Sequence, residues 1–222
     1  MRTTQRLPVE GTRSDTKIAA EADHRIANSL AVIASLVRLK AANGNPSVDR
    51  ATFLREIAER IDTVARLHRY LAYSPSGLIR LNEYLREICE SLSGALVDSK
   101  TSFTIKCAPA IAVPFDVALP LGLITTELLT NSFKYAHPSG LPVDIAVSCT
   151  RTDKGELTLV YEDDGVGFPE SFNVEENGHL GMRLIRSLSQ QLGATTDWQS
   201  DPLGVRFEIT VPLRRGDAER RT

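Results

Sequence analysis

The sequence predicts an α+β protein in which a two-helix hairpin precedes a sandwich of helices packed on one face of a mostly antiparallel sheet. Two apolar stripes with helical spacing occupy the first third of the chain, and alternating strand patterns fill most of the second half. With 222 residues, of which 42% are hydrophobic and 24% charged, the chain is long enough for one or two domains with packed cores.

Composition excludes several classes of protein. The net charge of −2 gives no electrostatic footprint for nucleic acid or an anionic membrane, and the longest apolar runs are too short to span a bilayer. Three cysteines are scattered without a CxxC pair, which argues against a zinc site and against a disulfide framework. We therefore expect a soluble, cytoplasmic protein with no nucleic-acid or membrane partner, and any sensor on a separate protein.

The first third of the chain predicts a helical hairpin over residues 16–76, after a flexible polar arm over residues 1–15. A loop rich in Asn, Gly and Pro, AANGNPSVD, separates two helices of similar length. Each helix carries one apolar stripe: Ala19, Ala22, Ile26, Leu30, Ile33 and Val37 in the first, and Leu54, Ile57, Ile61, Val64, Leu67 and Leu71 in the second. Two helices alone cannot bury both stripes, so we expect a homodimer that completes a four-helix bundle.

Residues 77–213 predict the sandwich domain, and residues 214–222 a charged tail. The order of elements is a helix in LNEYLREICESLSGAL, a strand in TSFTIKCA and a long helix in VALPLGLITTELLTNSFKYA. Strands in VDIAVSCT and ELTLVYED, a helix in LGMRLIRSLSQQLG and closing strands in TTDWQS and VRFEITVPL follow.

The first helix carries a polar cluster around His24 in the stretch DHRIANSL. At about 100° per residue, His24 lies roughly 160° from the centre of the apolar stripe and points to solvent. Glu21 and Asn28 are three residues before it and four after it, and so share its face. A carboxylate beside an exposed imidazole can hold one tautomer and leave the other ring nitrogen nucleophilic. The alternative is an ordinary solvated helix face.

The long helix carries a second polar stripe in ELLTNSFKYAHP. Glu127, Asn131 and Lys134 fall at i, i+4 and i+7, on one face of the helix. A carboxylate, an amide oxygen and an ammonium group suit a hydrated Mg²⁺ with attached phosphates. The alternative is the surface face of a core helix.

The segment YEDDGVGFPE joins a strand end to two glycines. Gly165 and Gly167 let the backbone approach a flat ligand, and a carboxylate just before them, Asp163 or Asp164, can accept a hydrogen bond from an exocyclic amine. The alternative is a tight hairpin turn.

A second glycine segment, NGHLGMRLIRSL, leads into the next helix. Gly178 and Gly181 precede or open that helix, whose first amides are free to bind phosphate. Gly178 could otherwise be an ordinary loop glycine.

In order and spacing, these motifs resemble those of bacterial sensor histidine kinases over residues 16–213. DHRIANSL resembles the histidine box, ELLTNSFKYA the N box, and DDGVG and GHLGM the two glycine boxes. The chain is similar to a group related to the HWE kinases, but it keeps DDGVG where those kinases have a Trp-x-Glu segment, and its only tryptophan, Trp198, lies elsewhere.

The resemblance implies a dimerisation and phosphoacceptor hairpin followed by a Bergerat-type ATP-binding domain of the GHKL class. It implies that His24 is the phosphoacceptor, Asn131 a Mg²⁺ ligand, Lys134 a phosphate contact and Asp164 the residue that reads adenine. The expected cofactors are ATP and Mg²⁺, and the expected partner is the receiver domain of a response regulator.

Two points stay open. Arg25 stands where better-known histidine kinases have an acid after the histidine, so the general base is either Glu21, which shares the face of His24, or Asp23, about 100° to its side. The resemblance to kinases that are also phosphatases suggests that Asn28 orients a hydrolytic water. The rival functions are an ATP-independent histidine phosphotransferase or adaptor and a GHKL-type serine kinase.

Overall fold

The computed structural model describes residues 34, 58, 61–65, 78–96, 101–137, 141–174 and 180–213. Almost all of the predicted hairpin, the N-terminal arm and the charged tail lie outside these residues, so the predicted domain boundaries and the four-helix bundle stay predictions. No helix in the described ranges is long and apolar enough to cross a membrane.

The described sandwich domain contains seven strands and three helices in mixed order. They are β1 (Leu78–Arg80), α1 (Leu81–Leu96), β2 (Ser102–Cys107), β3 (Ala112–Pro114), α2 (Phe115–Tyr135), β4 (Asp144–Arg151), β5 (Leu157–Asp163), α3 (Leu180–Gln191), β6 (Thr195–Asp201) and β7 (Gly204–Val211). The predicted α+β class is confirmed. The short strands β1 and β3 were not predicted, because three residues are too few to show a period.

Five strands form the main sheet in the order β2-β4-β5-β7-β6, and β1 pairs with β3 in a separate antiparallel ribbon. β2 and β4 are parallel, and every other neighbouring pair in the main sheet is antiparallel. This order places the end of β5 beside the start of β7, in the middle of the sheet. The loop that follows β5 therefore begins at a backbone position that has a paired strand on each side.

The core lies between the helices and one face of this sheet. Alternate residues of the central strands are buried, which is the pattern of a sheet with one covered face: Ile145, Val147 and Cys149 in β4, Leu157, Leu159 and Tyr161 in β5, and Phe207, Ile209 and Val211 in β7. The other face is polar, with Thr158 and Thr210 hydrogen-bonded across the strands at 3.0 Å. α2 is buried over most of its circumference.

α1 and α2 approach each other closely at Gly122. A methyl group at this position would collide with the phenol ring of Tyr84, which is itself fully buried. The core also includes Val64, which is 1% exposed and lies in the described helical residues 61–65. One residue of the predicted second hairpin helix therefore contributes to the hydrophobic core that contains the sandwich residues.

The cysteines correct one expectation from the sequence. Cys107 and Cys149, 42 residues apart, form a disulfide, whereas the scattered spacing argued against one. They occupy directly paired positions on the parallel neighbours β2 and β4, with Cα atoms 4.5 Å apart. Strand register, which spacing alone does not reveal, brings them together. Cys89 is a free, buried thiol, and burial raises its pKa to about 12.

We predict that reduction of the Cys107–Cys149 disulfide with dithiothreitol lowers the free energy of unfolding. A bond that closes a loop of this sequence separation restricts the unfolded chain, an effect of about 4 kcal/mol in the chain-entropy treatment. Urea unfolding with and without reductant measures the change. Cys89→Ser should keep the sensitivity to dithiothreitol, and Cys107→Ser/Cys149→Ser should lose it; equal unfolding of oxidised and reduced wild-type protein would contradict the prediction.

Candidate functional site

The polar stripe predicted on the long helix lies on α2 and runs from the core to the surface. Glu127 is 7% exposed, Asn131 is half-buried and Lys134 is exposed. The Nδ2 atom of Asn131 donates to Sδ of Met182, on the first turn of α3, at 3.8 Å. This contact joins the middle of the stripe to the helix that follows the second glycine segment, and it directs the amide oxygen of Asn131 away from Met182.

Asp163 is the last residue of β5 and accepts three hydrogen bonds. Its Oδ1 atom accepts from the backbone N–H of Gly165 at 3.0 Å and of Val205 at 3.2 Å. Its Oδ2 atom accepts from the hydroxyl of Ser132 on α2 at 2.6 Å. The carboxylate is thereby tied to the turn after β5, to the start of β7 and to α2.

Asp164 lies on the opposite side of the same strand end. Its Oδ1 atom accepts from the backbone N–H of Asp144 at 2.8 Å and lies 3.2 Å from Nε2 of His137, and its side chain is 49% exposed. The structure therefore places the predicted adenine reader against the start of β4, whereas Asp163 is the carboxylate that contacts α2.

The parity of β5 could have distinguished the two aspartates. Side chains alternate between the two faces of a strand, so Asp163 shares the face of the buried Leu157, Leu159 and Tyr161. Asp164 follows one residue later, beyond the strand end. From the residues alone either aspartate was a candidate acceptor, and the family resemblance assigned the adenine contact to Asp164. Ser132 was not predicted as a site residue.

Ser132 connects Asp163 to a buried phenol. The Oγ atom of Ser132 lies 2.9 Å from the hydroxyl of Tyr161, and both residues are buried. Burial raises the pKa of Tyr161 well above its ordinary value, and the nearby charge of Asp163 adds to this effect. The phenol therefore stays protonated and acts as a donor at physiological pH.

The glycines of the first glycine segment permit two close approaches. A methyl group on Gly165 would lie 2.7 Å from Cα of Ala136, at the end of α2. Gly167 has φ of 73°, and a methyl group there would collide with the backbone oxygen of Asp201, at the end of β6. The N–H of Phe168 then donates to Oγ of Ser200 at 2.7 Å. The turn is thus held between α2 and β6.

The residues after this turn pack on an aromatic cluster. The ring of Phe168 lies 4.8 Å from that of Phe172 and 5.8 Å from that of Trp198, measured between centroids. Arg186 of α3 donates to the backbone oxygen of Val174 at 2.8 Å. These contacts hold residues 168–174 across the space between the sheet end and α3.

The remaining predicted site residues are divided between described and undescribed parts of the chain. Gly181 is buried in the first turn of α3. Predictions for His24, Glu21, Asp23, Asn28 and Gly178 lie outside the described residues. Within the described ranges, no group of three or more His, Cys, Asp or Glu side chains is arranged to hold a metal ion.

The sheet order, the strand-end carboxylate, the glycine turn and the α2 stripe together define an ATP-binding domain of the GHKL class. Comparison with protein families agrees: residues 116–215 match the family described as histidine kinase-, DNA gyrase B- and HSP90-like ATPase. Residues 21–96 match a family described as histidine kinase. The chain belongs to the histidine kinases.

Individual relatives support this assignment. The chain is 26% identical over 212 residues to blue-light-activated histidine kinase 2 of Erythrobacter litoralis, covering 93% of this chain and 60% of that protein. It is 25% identical over 169 residues to the sensor histidine kinase PdtaS of Mycobacterium tuberculosis, covering 76% and 33%. The chain therefore spans less than two thirds of the length of either relative.

Among solved structures, the chain is similar to the histidine kinase domain of a blue-light-activated histidine kinase from Erythrobacter litoralis EL346. The TM-score is 0.67 and the sequence identity 25%, and the match covers 91% of this chain and 96% of that one. The similarity therefore extends over a whole kinase domain.

We predict that Gly167→Ala is more damaging than Gly155→Ala. Both glycines have positive φ, 73° and 80°, so each alanine should cost about 1 kcal/mol of backbone strain. Only Gly167 also has a backbone oxygen in the way, because a methyl group at Gly155 meets nothing within 4 Å. Urea unfolding and calorimetric ATP titration of both variants measure stability and binding. Equal losses of both quantities would contradict the proposed role of the close approach.

Proposed function

We propose that this chain is a protein-histidine kinase of two-component signalling. It binds Mg-ATP, becomes phosphorylated on His24 and passes the phosphoryl group to an aspartate on the receiver domain of a response regulator. The observation that carries the ATP-dependent part is the carboxylate of Asp163 at the end of β5, a hydrogen-bond acceptor that Ser132 and the N–H of Gly165 hold in place. The hairpin match at residues 21–96 supports the phosphoacceptor.

The residues present fit ATP and Mg²⁺. Asp163 offers an acceptor to the exocyclic amine of adenine, and we assign it this role in place of Asp164, whose Oδ1 atom contacts His137 and the N–H of Asp144. Asn131 and Glu127 offer oxygen atoms, which Mg²⁺ prefers, and phosphate oxygens would complete its coordination. When bound there, Mg²⁺ would supply charge neutralisation on the phosphates.

The remaining residues have roles in holding the phosphates. Lys134 is exposed at the end of the α2 stripe, where its ammonium group can reach a phosphate oxygen. Gly181 lies in the first turn of α3, whose first backbone amides could bind phosphate oxygens, and Gly178 precedes that helix. These groups position the γ-phosphoryl group, which is the main contribution that a protein makes to this type of transfer.

At the phosphoacceptor, His24 is the nucleophile. Either Glu21, which shares the face of His24, or Asp23, about 100° to its side, accepts its proton or fixes its tautomer. Asn28, one helical turn after His24, orients water for hydrolysis of the phosphorylated regulator, because a neutral amide does not compete as a nucleophile.

We also propose a homodimer through the hairpin, a cytoplasmic location and an input from a separate sensor protein. The paired apolar stripes support the dimer, since one hairpin cannot bury both. In a cytoplasm that keeps thiols reduced, Cys107 and Cys149 would be present as a dithiol until the protein meets an oxidant.

We predict that the full chain, incubated with γ-labelled ATP and Mg²⁺, acquires an acid-labile, base-stable label, as a phosphoramidate requires. His24→Ala should abolish the label. Asn28→Ala, on the same helix face, should keep most of it while losing the ability to accelerate decay of the phosphorylated regulator. An acid-stable product, or labelling that persists in His24→Ala, would instead support a serine kinase, and absence of nucleotide binding would support an ATP-independent adaptor.

We predict that Asp163→Asn weakens ATP binding at least tenfold, whereas Asp164→Asn changes it less than about threefold. A hydrogen bond to a charged acceptor contributes about 1.5–3 kcal/mol, and the amide also presents a donor toward the adenine amine. Calorimetry with a non-hydrolysable ATP analogue, with and without Mg²⁺, measures both variants. The reverse order of effects would restore Asp164 as the adenine reader.

A further inference from the structure

The hydroxyl of Ser132 can donate only one proton, although two acceptors lie near it. Oδ2 of Asp163 is 2.6 Å away and the backbone oxygen of Leu128 is 3.2 Å away. The proton belongs to Asp163, because that contact is shorter and its acceptor is charged. The hydroxyl of Tyr161, 2.9 Å from Oγ of Ser132, must then donate to Ser132. The result is a hydrogen-bond relay in which Tyr161 donates to Ser132 and Ser132 donates to Asp163.

The hydrogen bonds to Asp163 determine which of its lone pairs remain available to a ligand. A carboxylate has four acceptor positions, two on each oxygen. The backbone N–H groups of Gly165 and Val205 use both positions on Oδ1, and Ser132 uses one on Oδ2. Among the described residues, one acceptor position on Oδ2 is left, and its direction is fixed because both oxygens are held.

We propose that Ser132 is a positioning residue that sets the purine selectivity of this kinase, by orienting Asp163 toward a single N–H donor. The inference rests on the proposed function, in which Asp163 reads the base. A base with an amine at position 6, as in adenine, supplies that donor. A base with a carbonyl there, as in guanine, places a second acceptor against the carboxylate.

The geometry explains why the serine is needed in addition to the aspartate. Rotation of a carboxylate about its last torsion meets only a broad, shallow preference, so hydrogen bonds must define its plane. Ser132 lies on α2 and Tyr161 on β5, so the hydrogen bond between them also fixes the distance between the helix and the sheet at the base site. Burial of both residues keeps water from replacing either donor.

The test compares ATP with the triphosphate of purine riboside, which lacks only the 6-amino group, and with GTP. Dissociation constants are measured calorimetrically on the full chain. The ratio of the purine riboside and ATP constants reports the amine contact alone, since every phosphate, ribose and metal interaction is common to both ligands. A change that merely loosens the domain weakens both ligands equally and leaves this ratio unchanged.

Ser132→Ala should reduce the purine riboside to ATP ratio about tenfold, the expected loss for one hydrogen bond to a charged group, and should narrow the preference for ATP over GTP. Because that variant leaves the buried hydroxyl of Tyr161 without its acceptor, its melting temperature should also fall. Ser132→Ala/Tyr161→Phe removes the orphaned hydroxyl, and should recover stability without recovering the ratio. Tyr161→Phe alone should reduce the ratio less, since Ser132 can still donate.

The outcomes separate this inference from the proposed function. If Asp163→Asn brings the purine riboside to ATP ratio close to one but Ser132→Ala leaves it at the wild-type value, Asp163 reads the base and the inference about Ser132 is overturned. Equal weakening of all three ligands by Ser132→Ala would overturn it as well, by showing a structural role only. If Asp163→Asn leaves the ratio unchanged, the assignment of Asp163 as adenine reader fails first.

Discussion

The site depends on how the carboxylate of Asp163 is held at the end of β5. Three donors from three separate parts of the chain meet there: the turn at Gly165, the start of β7 at Val205 and the helix α2 at Ser132. A carboxylate at a half-buried position needs such donors to offset the loss of water. The same requirement fixes the relative positions of the helix, the sheet and the turn, so the chemistry of one side chain organises the geometry of the site.

Glycines make this arrangement sterically possible. Gly204 has φ of 142° and lies directly against the backbone oxygen of Asp163, where any side chain would collide. Gly167 plays the corresponding part against the end of β6. The β6–β7 hairpin and the end of α2 can therefore both lie directly against the segment from Asp163 to Gly167.

The family matches concern the whole chain, whereas the hydrogen bonds at the end of β5 concern individual side chains. The family matches place the chain among the histidine kinases, and they extend over both the predicted hairpin and the ATPase region. They do not say which of two adjacent aspartates meets the base. We propose Asp163 for that contact because its carboxylate is held by Ser132 of α2, whereas Asp164 contacts His137 and the N–H of Asp144.

The sequence by itself determined the α+β class, the order of the main helices and strands, and the glycine and α2 motifs of the site, because periodicity and glycine spacing are local properties of the chain. Strand parity could also have singled out Asp163. Only the tertiary structure decided that Ser132 and Tyr161 meet Asp163, and that Cys107 faces Cys149 across 42 residues of sequence. Those contacts depend on strand register and on how α2 lies over the sheet, and both are fixed by the packing of the whole core.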